Sequence, residues 1–379
     1  MNKLKEFFKK YALASVIAAT AVFGLAGGVA GSLAARAYLL DAPIGNFDFS
    51  QGKYRDQGLV ISNARSVIVQ QDAKINETVN SVSASLVGIY KKQKPGKTGE
   101  AFSLDNFYQL NKGAGQGFII TSDGWIVTSL ALDKTFNDYV VIAKDKKIYQ
   151  PDKAVRDSLT GFTFIHVSAR DFPVRRFAEN QDIKSGGLVL SVNWRGASRV
   201  SYIADYGWDG TLIKSSDDFS GKLILTESVP AEFKGSVIFN LAGDALGLVN
   251  DQGEIEPMPR LKSAAASLFK NKTVIRPYLG INYINLNDLA AAEAPAAAWQ
   301  KGAIIYNIQK AAAVLKNSPA ETAGLLAGDI VMSVGGRNLA EDNDLAELIQ
   351  EYSAGDKIII SIFRGGQERS VEVVLGELK

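Results

Sequence analysis

Residues 317–349 read NSPAETAGLLAGDIVMSVGGRNLAEDNDLAELI, and this stretch predicts the beginning of a compact α/β unit. Ser318 and Pro319 suit the cap and the first turn of a short helix, because a serine side chain accepts a hydrogen bond from a free backbone amide. Gly324 suits the end of that helix, since glycine readily adopts the left-handed conformation that closes many helices. The stretch therefore opens with a helix of one or two turns.

The remainder of the stretch predicts a strand, a turn and a second helix. The apolar run Ile330–Val334 follows a Gly-Asp turn and is typical of a buried strand. Asp342–Tyr352 carries apolar residues at helical spacing and is predicted as an amphipathic helix. Strand-like sequences on both sides complete a unit that we assign to residues 277–379.

This unit resembles a PDZ domain of the bacterial protease type over Tyr278–Glu377. The resemblance implies that a partner's carboxy terminus binds between the amphipathic helix and a neighbouring strand, where backbone amides hold the carboxylate. Leu345 and Ile349 fit either the floor of that groove or plain core packing. The implied peptide-binding residues are Tyr278, Leu279, Gly280, Ile281, Asn282, Tyr283, Leu345 and Ile349.

The composition excludes several classes of protein and of site. Hydrophobic residues make up 46% of the 379 residues and charged residues 22%, which is typical of a globular chain. The 42 basic and 40 acidic residues nearly cancel, whereas nucleic-acid binders usually carry a basic excess. There is no cysteine, and His166 is the single histidine, which excludes disulfides, Cys-ligated metals and multi-His metal sites. The sequence also shows no P-loop, metal cluster or dinucleotide fingerprint, so we predict no metal and no cofactor.

The amino-terminal segment is predicted to lie outside the globular fold. Lys10 and Arg36 enclose 25 uncharged residues, which in a helix span roughly 37 Å, enough for a bilayer core. We predict a cytoplasmic tail over 1–10, a transmembrane helix over 11–35 and a tether over 36–75, since the preceding lysines favour the cytoplasmic side. A cleavable signal peptide is the alternative.

The middle region is dominated by short apolar runs between Gly, Asp and Asn turns. Over residues 76–256 this spacing predicts an antiparallel barrel or sandwich. Residues 257–276 contain AAASLF at helical spacing and are predicted as a linker helix. Within the following PDZ-like unit, an Ala-rich helix is predicted for Asn287–Gln300.

The domain order and three segments of the middle region resemble the HtrA family of envelope serine proteases. The segments read GQGFIITSDGWIVTSLAL (115–132), RDSLTGFTFIHV (156–167) and TESVPAEFKGSVIFNLAGDALGLVN (226–250). The resemblance implies a mainly β fold, in which a trypsin-like pair of antiparallel β-barrels precedes an α/β PDZ domain. It also implies a homo-trimer or a mixed oligomer, because family members often form trimers through their barrels.

The residues that this family uses for acyl transfer are replaced. Matching the segments by their neighbouring residues places the histidine and aspartate positions on Ala131 and Gly161. The serine position falls on Lys234 when counted back from Asn240, or on Gly235 when counted forward from Thr226, and neither is a serine. Acyl transfer needs a hydroxyl nucleophile, an imidazole and an orienting carboxylate, so we assign no catalytic residue. Two rescue hypotheses use Ser236, activated either by Lys234 or by His166. The second requires a histidine that is predicted to be exposed on a strand to reach the serine.

The sequence therefore favours a pseudoprotease anchored in the inner (cytoplasmic) membrane, with its folded domains in the periplasm or outside the cell. Its barrels would be a scaffold, and its PDZ domain would bind carboxy-terminal or unfolded peptide segments of envelope proteins. An active envelope serine endopeptidase is one alternative. A regulatory or structural subunit of a mixed oligomer with an active family member is the other.

Overall fold

The computed structural model describes residues 20, 22–24, 27–28, 64–94, 104–207, 210–290, 301–307, 312–339 and 344–378. The chain divides into two compact units, Met1–Arg65 and Ser66–Lys379. In the first unit, the described residues between 20 and 28 are helical, and the rest of the transmembrane helix predicted over 11–35 lies outside the described residues. Within the described ranges, no helix combines the length and the apolar character needed to span a bilayer.

The second unit opens with a helix where the sequence predicted the end of the tether. This helix covers Ala64–Ser83, so it takes up the last part of 36–75 and the start of the segment that was predicted to form strands. Val79 and Val82 are buried in the main core, and Ile75 packs against it. Because short helices gain most of their stability from packing, this apolar face accounts for the helix despite its polar sequence.

Residues 86–167 form an antiparallel sheet of seven strands. The strands are β1 (Leu86–Lys91), β2 (Gly115–Ile119), β3 (Trp125–Thr128), β4 (Tyr139–Ile142), β5 (Ile148–Tyr149), β6 (Pro151–Arg156) and β7 (Thr163–Val167). Their order across the sheet is β5-β4-β1-β2-β3-β7-β6. Most residues of β1 to β4 and β7 are buried, as expected for a sheet that packs on both faces.

Residues 188–257 contain a closed barrel. The strands are β8 (Leu188–Val192), β9 (Ser198–Tyr206), β10 (Ile213–Ser215), β11 (Leu223–Leu225), β12 (Val237–Asn240), β13 (Ala245–Val249) and β14 (Ile255–Pro257). Six of them close in the order β11-β14-β13-β12-β8-β9, which removes free sheet edges. Strand β10 leaves the barrel and pairs elsewhere.

A helix over Met258–Asn271 leads from the barrel to the last domain, close to the bounds predicted for the linker helix. Pro257 and Pro259 flank its start, and its buried side includes Leu261 and Leu268. The apolar side of this helix therefore belongs to the barrel core rather than to a free linker.

The last domain is the predicted α/β unit. Its strands are β15 (Pro277–Tyr278), β16 (Asn282–Asn285), β17 (Ala303–Ile305), β18 (Ile330–Val334), β19 (Arg337–Asn338), β20 (Lys357–Arg364), β21 (Gln367–Val374) and β22 (Gly376–Glu377). Its helices are Pro319–Thr322, capped by Ser318, and Leu345–Gln350, capped by Asp344. Residues 291–300 of the predicted Ala-rich helix lie outside the described residues, and a 3-10 turn covers Leu286–Asp288. The mainly β prediction is confirmed.

Candidate functional site

A cleft of about 570 Å³ lies where the two β structures meet. The Gln116 side chain, from the first sheet, spans this cleft. Its NH2 group donates to the backbone carbonyl oxygen of Lys234 at 2.7 Å, and its side-chain oxygen accepts from the backbone amide of Trp194 at 2.7 Å. Ser129, at the edge of the cleft, donates to a carboxylate oxygen of Asp251 at 2.8 Å. The Gln116 and Ser129 side chains are therefore both engaged in hydrogen bonds across this cleft.

None of the three positions matched to the acyl-transfer residues carries an imidazole, a carboxylate or a hydroxyl. Ala131 is exposed, and its methyl group offers no proton acceptor. Gly161 has a backbone φ of +75° and lies in the turn between β6 and β7. Lys234 is exposed at the rim of the cleft. An alanine, a glycine and a solvated lysine do not form a proton relay.

Ser236 does not combine with Lys234 in the way the first rescue hypothesis requires. Its hydroxyl is fully buried and has no hydrogen-bond partner among the described residues. The Lys234 side chain is exposed, so the amine and the hydroxyl lie on different sides of the chain. Gly235, at φ +75°, turns the backbone between them. A nucleophile and its base need hydrogen-bond reach, which this turn does not provide.

His166 lies on β7 of the first sheet, as predicted, but it is half-buried rather than exposed. Its Nδ1 atom is 2.6 Å from a carboxylate oxygen of Asp152, and its ring packs on Trp125 with centroids 5.1 Å apart. These neighbours belong to strands of the first sheet, whereas Ser236 precedes β12 of the closed barrel. The imidazole is held by its own sheet and not by the serine.

The sequence analysis missed Asp157, which lies four residues before Gly161. Its side chain is 0% exposed and accepts two hydrogen bonds from the Arg276 guanidinium, at 2.6 and 3.1 Å. Burial raises the pKa of the Asp157 carboxyl, but Arg276, with smaller help from the Thr160 and Leu159 hydrogen bonds, outweighs it, so the pKa lies below its ordinary value. This carboxylate joins the first sheet to the start of the PDZ-like unit.

The predicted carboxylate-binding loop of the last domain is filled by a side chain of the same protein. The Leu279 amide donates to the Asp217 carboxylate at 2.8 Å, and the Gly280 amide donates to it at 3.0 Å. The Ile281 amide donates to the hydroxyl of Ser216 at 3.1 Å. Burial raises the pKa of Asp217 above its ordinary value, although these amides oppose the rise.

Strand β10 lies along the predicted peptide-binding strand. It pairs antiparallel with β16, with Lys214 opposite Tyr283 and Ser215 opposite Asn282. Leu345 and Ile349 are fully buried in the core cluster of this domain, beside Leu279 and Ile281. Residues 213–217 therefore lie along the predicted carboxylate loop and peptide-binding strand, whereas Leu345 and Ile349 lie in the core of the domain.

A family profile described as a PDZ domain matches residues 277–375. The chain is 24% identical over 307 residues to a probable periplasmic serine endoprotease (DegP-like) of Marinomonas sp., covering 76% of this chain and 60% of that relative. It is 23% identical over 280 residues to a putative serine protease, HhoB, of Synechocystis sp., covering 69% and 66%. The chain thus spans about 60% of the length of the first of these relatives.

Solved structures with the same fold include the HtrA-type protease AlgW. AlgW with a decapeptide has a TM-score of 0.51 at 16% identity, over 80% of this chain and 98% of AlgW. AlgW with a tripeptide has a TM-score of 0.50 at 16% identity, over 80% and 97%. At this identity the likeness establishes the fold, a trypsin-like domain followed by a PDZ domain.

Proposed function

We propose that this chain, which belongs to the HtrA family of trypsin-like and PDZ domain proteins, is a non-catalytic peptide-binding scaffold of the cell envelope. The observation that carries the proposal is the replacement of all three acyl-transfer positions, by Ala131, Gly161 and Lys234. The buried Ser236 hydroxyl supports it, because a hydroxyl without a neighbouring base is not activated as a nucleophile. The matched relatives are named as serine proteases, so the loss is a departure from them.

The PDZ groove supports the binding half of the proposal. Two of its loop amides, those of Leu279 and Gly280, donate to a carboxylate, the Ile281 amide donates to a hydroxyl, and a strand already pairs with the edge of β16. A partner's carboxy terminus presents the same two elements, a carboxylate and an extended backbone. We infer that envelope proteins with accessible or unfolded ends are the partners.

The purified full chain is expected to bind peptides with a free carboxy terminus and to leave them intact. Strand-addition complexes of this kind have dissociation constants on the order of micromolar, so fluorescence anisotropy with a labelled peptide library measures them. Amidated copies of the same peptides should bind at least tenfold more weakly, because they lack the charge that the loop amides hold. Mass spectrometry of the recovered peptides should show no cleavage.

Two further measurements separate a scaffold from a weak protease. A serine-directed fluorophosphonate probe should not label the chain, since the Ser236 hydroxyl is buried and lacks a base. The Lys234→Ser variant should remain inactive, because Ala131 and Gly161 still lack the imidazole and the carboxylate. Cleavage by the wild type that disappears in Ser236→Ala would instead establish the active endopeptidase.

We also propose that the segment 11–35 anchors the chain in the inner membrane, with the folded domains in the periplasm. The uncharged length of this segment supports the anchor, and the periplasmic naming of the DegP-like relatives supports the compartment. Extraction of native membranes at alkaline pH should leave the chain in the pellet. Release into the supernatant would contradict an anchor and favour a cleaved signal peptide. Co-purification from the same membranes tests the mixed-oligomer alternative.

A further inference from the structure

One segment of the trypsin-like domain is built into the sheet of the PDZ domain. Ile213–Ser215 leaves the closed barrel and becomes the edge strand beyond β16, with three residue pairs in antiparallel register. The Ser216 amide extends the pairing by donating to the Ile281 carbonyl at 3.0 Å. A bound peptide would use the same backbone groups, because strand addition depends on the free edge of one strand.

The segment also imitates the end of a peptide. The Asp217 carboxylate bonds to the Leu279 and Gly280 amides, and the Ser216 hydroxyl bonds to the Ile281 amide. Side-chain oxygens thus take the places that the two oxygens of a terminal carboxylate would fill. Both residues are buried, and the hydrogen bonds to the Asp217 carboxylate are of the strong, charge-assisted kind.

The pairing of β10 with β16 predicts the register in which a peptide would bind along β16. The last residue of a bound peptide would take the position of Ser216, and its amide would donate to the Ile281 carbonyl as the Ser216 amide does. The carboxylate of that residue would then face the loop amides. Counting back along the strand, the position of Lys214 is third from the end. Lys214 lies opposite Tyr283 and has only 5% of its surface exposed.

The side chain at that third position is bound by two carboxylates. The Lys214 amine is 3.0 Å from a carboxylate oxygen of Asp344, which caps the helix Leu345–Gln350, and 3.3 Å from a carboxylate oxygen of Asp288. Asp344 is itself fixed, because it accepts hydrogen bonds from the Tyr283 hydroxyl and from the Ala346 amide. Two carboxylates around one buried amine select a basic side chain and reject an acidic one.

We propose that residues 213–217 are an internal ligand of the PDZ groove and that their chemistry defines the peptides that displace them. Those peptides have a free carboxy terminus with lysine or arginine third from the end. The inference rests on the proposed peptide-binding function and adds to it a competitor and a sequence preference. The groove binds a partner only in the fraction of molecules in which the segment has left, so the apparent affinity falls by that fraction.

The test uses the full chain and a labelled peptide with the sequence of residues 211–216, TLIKSS, ending in a free carboxylate. In Asp217→Asn the internal ligand loses its charge, so the peptide should bind about tenfold more tightly than to the wild type. Asp218→Asn is the matched control, because it removes the same charge from the exposed neighbouring residue and should leave the affinity unchanged. Lys214→Met weakens the internal ligand at its other anchor and should also tighten peptide binding.

The peptide itself tests the sequence preference without altering the protein. Replacing its lysine by norleucine, which keeps the length and removes the charge, should weaken binding to Asp217→Asn about tenfold. Equal affinity of wild type, Asp217→Asn and Lys214→Met for the free peptide would contradict the proposal that residues 213–217 compete for the groove. Equal affinity for the lysine and norleucine peptides would contradict the proposed preference for a basic residue third from the end. Absence of binding to all variants by every free-acid peptide would instead overturn the proposed function itself.

Discussion

Arg276→Ala is expected to lower the free energy of unfolding of this chain by about 3–5 kcal/mol. The guanidinium is 3% exposed, and its partner Asp157 is fully buried, so the substitution leaves a buried carboxylate without its counter-ion. It also removes a hydrogen bond of 2.6 Å to the hydroxyl of Ser263, which lies on the helix Met258–Asn271. Chemical denaturation followed by tryptophan fluorescence measures the change.

The matched control is Arg337→Ala. Arg337 also binds a carboxylate with two hydrogen bonds, both 2.8 Å to Glu351, but about half of each side chain is exposed. Exposed pairs contribute about 0–1 kcal/mol, so this variant should be nearly as stable as the wild type. Equal losses in the two variants would contradict the importance of burial at Asp157.

The pH dependence provides an independent check of the same pair. The pKa of Asp157 is lowered in the folded protein, so its contribution is fully present above the unfolded value, near 4, and is lost as the pH falls through the folded value. In Arg276→Ala the hydrogen bonds from Thr160 and Leu159 remain, but the guanidinium no longer opposes burial, which is the largest influence and raises the pKa of this carboxyl. The acid unfolding midpoint of the variant should therefore move to higher pH than that of the wild type.

Gly280→Val is expected to destabilise the PDZ domain by about 3–5 kcal/mol and to abolish peptide binding. The residue has a φ of +88°, and an added Cβ atom would lie 2.3 Å from the Cβ of Ser318. Ser318 caps the helix Pro319–Thr322, so it has little freedom to move away. Thermal unfolding and peptide anisotropy on the full chain measure the two effects.

Gly324→Val is the control for the backbone conformation alone. Gly324 lies in the same domain with a φ of +79°, and an added Cβ atom would meet nothing within 4 Å. This variant should lose only about 1–3 kcal/mol, the cost of a non-glycine residue in the left-handed region. A loss at Gly280 no larger than at Gly324 would mean that the contact with Ser318 is not decisive.

The sequence by itself determined most of the architecture. Alternating apolar residues and glycine turns specify strands locally, because each strand buries one or both faces at a spacing of two. The PDZ unit was predictable from a few positions, such as the Ser318 cap and the strand Ile330–Val334, since caps and turns depend on neighbouring residues. The replacement of the acyl-transfer residues was likewise visible in the sequence, because residue type alone decides whether a proton acceptor exists.

The helix Ala64–Ser83 was not predictable in the same way. Its sequence is polar overall, and the described side chains that stabilise it, Val79 and Val82, do so by packing on strands far away in the chain. Local propensity is a weak signal when tertiary burial supplies most of the stability. The predicted tether therefore ends earlier than the sequence indicated.

Only the tertiary structure decided what occupies the groove. Residues 213–217 resemble an ordinary polar turn in the sequence, and Asp157 resembles an ordinary turn acid. Each acquires its role from a partner more than sixty residues away, Asp217 from the Leu279 and Gly280 amides and Asp157 from Arg276. Sequence patterns report on neighbours along the chain, whereas burial and electrostatic pairing depend on which distant groups the fold brings within 3 Å.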